Sequence, residues 1–303
     1  MKYLVFINLV TSIFFVSTSL ASDQNIKIAL PSWDGGKFIA YDLANQLEKK
    51  FGYVVKFVEI ETDSMWVELD KNRGAVDIFP DLWMPNQEHN WKKFVVESGS
   101  VKFNKAPYSG KQGFYLLTGK DAIEAEIENI VRDETLALLD TDRDGLAEFW
   151  PGDPTWHSTI FNKVKLKSYL IGEKIELIME NNEPFIATLD YRAKNNLPLL
   201  FYYWEPDWIH AKYNILPVKE PPYTDGCRDI IDPSESVTWL ADSKFGCAYP
   251  ASSVYVVFRD EFTNDDKLGD FLENYAVDVE QLQKAILEKK ETGRSLADIV
   301  TKL

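Results

Sequence analysis

Short apolar runs alternate with stretches of helical period through the first hundred residues, and that alternation restricts the fold more than any other feature of the chain. Ile26 to Leu30 reads as a buried strand stopped by Pro31. Asp34 and the Gly35-Gly36 pair lead into a helix with Ile39, Leu43 and Leu47 on one face, and Gly52 ends it. Val54 to Ile60, rich in β-branched residues, predicts a second strand. Asp63 or Ser64 can cap a short helix, Met65 to Asn72, that stops near Gly74, and Val76 to Phe79 predicts a third strand. Strands alternating with helices favour a parallel sheet covered by helices. After a strand at Lys111 to Thr118 the pattern restarts. Ala122 to Val131 reads as helix and Thr135 to Leu139 as strand, and Tyr169-Leu170 leads into another strand. Leu199 to Trp204 and Ser253 to Phe258 are further strands, and a charged helical tail runs to Leu303. The sequence shows no internal repeat. The order predicts an α/β protein of two lobes joined by crossing strands, 22–115 plus 220–303 and 116–219, with a cleft at the strand ends.

The N-terminus specifies a compartment. Lys2 precedes an apolar run from Tyr3 to Val16 that is too short to span a bilayer with ease, and Ser19-Leu20-Ala21 supplies small residues for cleavage after Ala21. This predicts a secretory signal peptide over 1–21 and a periplasmic mature chain. Cys227 and Cys247 both follow it, and in an oxidising compartment they are expected to form a disulfide. The formal charge is −15, and loss of Lys2 with no acid makes it −16. A nucleic-acid or anionic membrane surface needs the opposite sign, so nucleic acid is not an expected partner.

Nine tryptophans are many for this length. Trp33 lies three residues beyond the first strand, and Trp83 lies beyond the third in Pro80-Asp-Leu-Trp-Met-Pro85. Trp156 lies in the polar loop Gly152-Asp-Pro-Thr-Trp156, and Trp204 ends the strand before Glu205-Pro-Asp-Trp208. Most tryptophans pack in cores, and Trp66, Trp91, Trp150, Trp208 and Trp239 are read that way, Trp66 being also a secondary ligand candidate. Four at strand ends point instead to one cleft. Indole faces attract a diffuse cation such as trimethylammonium, which donates no strong hydrogen bond.

The segments 201–208, 75–85 and 152–156 resemble the glycine betaine/proline betaine-binding proteins of ABC transporters (the ProX/OpuAC-like family), and the likeness covers nearly the whole mature chain. The resemblance implies a type II periplasmic-binding-protein fold and an aromatic box at Trp83, Trp156 and Trp204; Trp33 joins it by its strand-end position. It implies that donors at the N-terminus of a helix near Trp156 and His157 hold a ligand carboxylate, with His89 a further candidate. It also implies a monomer that closes on a methylated ammonium compound and docks on a membrane permease. Glycine betaine is the first expectation, then trimethylamine N-oxide or choline. Glu205 departs from the neutral residue of many relatives; it is read first as facing solvent, and turned into the cleft it would favour a hydroxyl or a full cation such as choline.

Asp140, Asp142 and Asp144 before Gly145 have the spacing of the first half of a calcium loop, with the Leu146 carbonyl and Glu148 at later ligand positions. Pro151 stands where the closing Glu belongs, so a structural calcium and an Asp-rich turn without metal are both open readings. Three histidines and the absence of G-x-S-x-G and H-E-x-x-H argue against common hydrolases. The alternative is a secreted carbohydrate-binding protein or a glycoside hydrolase that uses Trp platforms, although no carboxyl pair is nominated for it.

Overall fold

The structure is a computed structural model that describes residues 25–303 apart from 72, 73 and 121. The expected signal peptide lies outside the described residues. The first half contains β1 (Asn25–Ala29), α1 (Asp34–Phe51), β2 (Val54–Val58), α2 (Thr62–Asp70) and β3 (Ile78–Met84). It continues through α3 (Glu88–Trp91), β4 (Val101–Phe103) and β5 (Tyr108–Leu117). Gly52 takes the left-handed conformation that ends α1, as its position predicts. Neither Asp63 nor Ser64 caps α2, which starts three residues before Met65, at Thr62, with Glu61 at its N-cap.

The second half contains α4 (Ile127–Ile130), α5 (Asp133–Leu139), β6 (Ala147–Trp150), α6 (His157–Ser168), β7 (Ile175–Leu177), α7 (Asn182–Lys194) and β8 (Leu199–Glu205). Then follow α8 (Ile209–Lys212), β9 (Ile215–Pro217), β10 (Arg228–Asp229), α9 (Trp239–Asp242), β11 (Lys244–Phe245) and β12 (Ser252–Arg259). Helices α10 (Asp266–Glu273), α11 (Val279–Thr292) and α12 (Leu296–Val300) form the tail. Three expectations are corrected. Thr135–Leu139 is helix, because Asp133 and Glu134 favour a helix N-terminus and the buried Thr135, Leu136 and Leu139 share one helical face. The helix expected over 122–131 is a single turn, α4. Tyr169-Leu170 is a turn, with Leu170 at φ 61°, and the strand begins at Ile175.

The sheet runs β2-β1-β3-β12-β5-β8-β6-β7. Its two halves have one plan: β1 lies parallel between β2 and β3, and β6 lies parallel between β7 and β8. The crossing strands β12 and β5 are antiparallel to these. Ser252–Val254 pair with Tyr108–Gly110, and from Lys111 onward β5 pairs with β8 instead, so the sheet passes from one half to the other there. The Cys227–Cys247 disulfide is present. Its loop packs on α6, where the fully buried Lys165 forms an ion pair of 2.6 Å with Glu220 and donates to the Cys247 carbonyl. Among the described residues, no helix is long and apolar enough to cross a membrane.

Candidate functional site

Two strand–loop–helix junctions face each other where the halves meet. Trp33 is the N-cap residue of α1 and Trp156 the N-cap residue of α6; both have extended backbone. Gly152, at φ +111°, turns the chain out of β6, and an added Cβ there would lie 2.9 Å from Thr159 Oγ1. The sequence pattern places Trp83 just beyond its strand, but it lies inside β3 beside Met84. Trp204 is the next-to-last residue of β8. Their neighbours fix the rings. Gly110 of β5 lets Trp83 lie against bare backbone, since a Cβ there would sit 2.4 Å from the indole. Trp204 stacks on Tyr203 at 4.1 Å and meets Trp156 edge-on at 4.9 Å. Trp156 meets Trp33 edge-on at 5.9 Å across the cleft.

These four rings line a single cavity of about 60 Å³, together with Asp81, Asn86, Gln87, His157, Ser158 and Tyr202. Two contacts join the halves at its mouth. Trp156 Nε1 donates to Ser32 Oγ at 3.0 Å, and His157 Nδ1 lies 2.9 Å from Asp63 Oδ1. Burial pushes the Asp63 carboxyl up, but the His157 imidazole and the Gln87 amide more than offset it and hold its pKa below the ordinary value. At the floor, Gln112 accepts from Asn86 at 2.9 Å and from Tyr202 at 2.6 Å, and donates back to Asn86 and to Ser252. All its hydrogen-bonding capacity is used, which stiffens the point where the strands cross.

Asp81 is the residue that sequence reasoning missed. It lies two positions before Trp83 in β3, so the period of two along the strand puts both side chains on one face. Tyr202 lies two positions before Trp204 in β8 in the same way. That register was the signal available in the sequence. The Asp81 carboxylate is buried and accepts from Trp33 Nε1, from Trp83 Nε1 at 3.3 Å and from the Tyr108 hydroxyl at 2.7 Å. Burial pushes its pKa above the ordinary carboxylate range, and the three donors pull against that rise.

Other expected site residues lie elsewhere. His89 is half-exposed and faces Glu235 at 3.3 Å, outside the cavity. Trp66 is fully buried, stacks on Phe94 and donates to Gln87 Oε1 at 2.8 Å, so it supports the wall from behind. Glu205 points away from the cavity, because alternation along β8 turns it opposite to Trp204; it accepts from Tyr115 at 3.1 Å. The Asp140, Asp142 and Asp144 carboxylates lie within 4.8 Å of one another. They fit one side of a calcium shell, yet each also accepts an N–H of its own turn. Glu148 faces inward to Arg192 at 2.9 Å and to Thr141, where a buried ion pair holds it away from those three.

A two-lobed α/β fold joined by crossing strands, with one small aromatic cavity where its halves meet, is that of a type II periplasmic binding protein. More narrowly, the chain belongs to the OpuAC family, described as the substrate binding domain of the ABC-type glycine betaine transport system, which it matches over residues 24–302. It is a substrate-binding domain and not an enzyme. It is similar to the glycine betaine/proline betaine-binding periplasmic protein of Salmonella typhimurium, with 26% identity over 65% of this chain and 55% of the relative. It is also similar to the glycine betaine-binding periplasmic protein OusX of Dickeya dadantii, with 24% identity over 65% and 54%. The chain thus spans about half the length of these curated relatives. The fold matches the glycine betaine, L-proline-binding protein ProX of Borrelia burgdorferi at TM-score 0.67 and 16% identity, over 92% of each chain. A choline-binding protein in complex with choline matches at TM-score 0.69 and 16% identity, over 91% and 86%.

Proposed function

We propose that this protein is the extracytoplasmic solute-binding component of an ABC transporter. It takes a small methylated ammonium compound into a box of Trp33, Trp83, Trp156 and Trp204 and presents the closed complex to a membrane permease. The convergence of four tryptophans on one small cavity carries this reading. Each cation–π contact contributes about 0.5–2 kcal/mol, so three or four supply much of the roughly 8 kcal/mol of micromolar binding. A buried water needs about 10–15 Å³ of such space. The cavity of about 60 Å³ therefore suits a solute of a few heavy atoms, and an oligosaccharide on Trp platforms does not fit it closed. The N–H groups that open α6 at His157 and Ser158 suit a ligand carboxylate or oxide. Glycine betaine, the compound named for the family and the curated relatives, is the first candidate, with choline and trimethylamine N-oxide next. The lobes are proposed to divide as the sequence order predicts, except that 220–249, which packs on α6, moves with the second lobe.

Titration calorimetry of the mature chain with glycine betaine, choline, trimethylamine N-oxide and glycine tests the reading. Micromolar binding of a methylated compound and none of glycine is expected, and Trp204→Ala or Trp156→Ala should weaken it at least ten-fold. Full affinity in Trp204→Ala would remove the box. Calcium is the proposed structural occupant of the Asp140–Asp144 turn, which precedes the loop carrying Trp156. A melting temperature that rises with calcium and falls on chelation supports it; an unchanged one removes it.

A further inference from the structure

Resting on the tryptophan box of that reading and reversing its order of ligands, with choline ahead of glycine betaine, we propose that Asp81 is the counter-ion of the bound ammonium group, so that the site selects methylated compounds of net positive charge over zwitterions. The Asp81 carboxylate lines the cavity and is almost completely buried. Its partners Trp33, Trp83 and Tyr108 are all neutral donors. Among the described residues, no Lys, Arg or His side chain pairs with it. A buried carboxylate without a cation is costly, and the space where a cation would offset that cost is the cavity itself. Hydrogen bonds from the two box indoles place the charge at the rim of their rings, so it adds to the attraction of their faces for one cation. Oxygen Oδ2 is occupied by two indoles, whereas Oδ1 accepts from Tyr108 alone and keeps one lone pair for a ligand hydroxyl.

The opposite wall carries no such charge. The register that holds Asp81 in β3 holds Tyr202 in β8, and the Tyr202 hydroxyl is spent on Gln112. Glu205, the residue the sequence offered for this role, faces outward. A zwitterion such as glycine betaine brings its own carboxylate near Asp81, and like charges in a low-dielectric cavity repel. A cation such as choline brings none.

The experiment compares choline, glycine betaine and 3,3-dimethylbutan-1-ol, the neutral carbon isostere of choline, by calorimetry on the unmodified mature chain and on Asp81→Asn. Asn keeps an oxygen to accept from the indoles, and the melting temperature checks that the variant folds. The unmodified chain should bind choline at least ten-fold more tightly than glycine betaine. In Asp81→Asn the choline affinity should fall at least ten-fold, the choline-to-betaine preference should vanish, and the isostere should be little affected. Glycine betaine bound as tightly as choline by the unmodified chain overturns the inference and leaves the Trp box standing. An unchanged preference in Asp81→Asn does the same. If no methylated ammonium compound binds, the box and the inference fall together. If Asp81→Asn does not fold, the choline-to-betaine ratio of the unmodified chain decides.

Discussion

Asp207 closes the turn after β8, where its carboxylate accepts the Ile209 N–H at 3.1 Å. Burial pushes its pKa up to about 7 from 3.8, with Asp34 adding to the rise and Lys290 opposing it. The folded state therefore holds this proton where the unfolded chain has lost it. This contribution to stability falls as pH rises from about 4 to about 7 and is flat above. Asp207→Asn removes the dependence. The variant should gain over the parent as pH rises through that window, up to about 4 kcal/mol, and nothing near pH 4; thermal melts at pH 4 and pH 8 read it. A difference that does not change with pH would discard the assignment. At this scale the sequence was informative about side chains at strand ends and silent about direction. Trp33, Trp156 and Trp204 reach the cavity because local signals placed them. Glu205 has two readings in the sequence, solvent or cleft, and alternation with the inward Trp204 settles it outward; Asp81 was missed because the pattern ends the strand at Phe79, where a period of two no longer links it to Trp83.

Strand β5 shows how an element sets a side chain it does not carry. Gly110 leaves room for the Trp83 ring, and a methyl group there would collide with it. Gly110→Ala should displace the indole and weaken ligand binding about ten-fold while the circular dichroism stays unchanged; unaltered affinity would show that Trp83 tolerates another position. Helix α7 was invisible in the sequence because only Phe185 and Leu189 are buried along it, too sparse for a helical stripe to stand out. The misread of α5 has the opposite cause: a short apolar run looks the same in strand and helix, and the acids ahead of it decide.

The pairing of β5 with β8 and of β12 with β3 joins residues far apart in sequence, so the expected parallel sheet turns out to be two parallel units bridged by antiparallel strands. No local pattern reports such pairing, although crossing strands between two lobes follow from the order of elements. The two halves touch at the cavity mouth through Ser32 with Trp156 and Asp63 with His157, and under the proposed function a ligand that touches both walls would favour this arrangement over a more open one. Small-angle scattering should show the radius of gyration falling when a binding compound is added. In Asp63→Asn the affinity should drop about three- to ten-fold through faster release. A radius independent of ligand would count against lobe closure.

The two halves share one topology, and each presents a tryptophan from a helix N-cap and another from the end of a strand. A chamber walled by two renderings of one motif has no head or tail of its own. Asp81 in one half against Tyr202 in the other supplies it: the carboxylate stands in the first half, and the opening turn of α6 stands in the second.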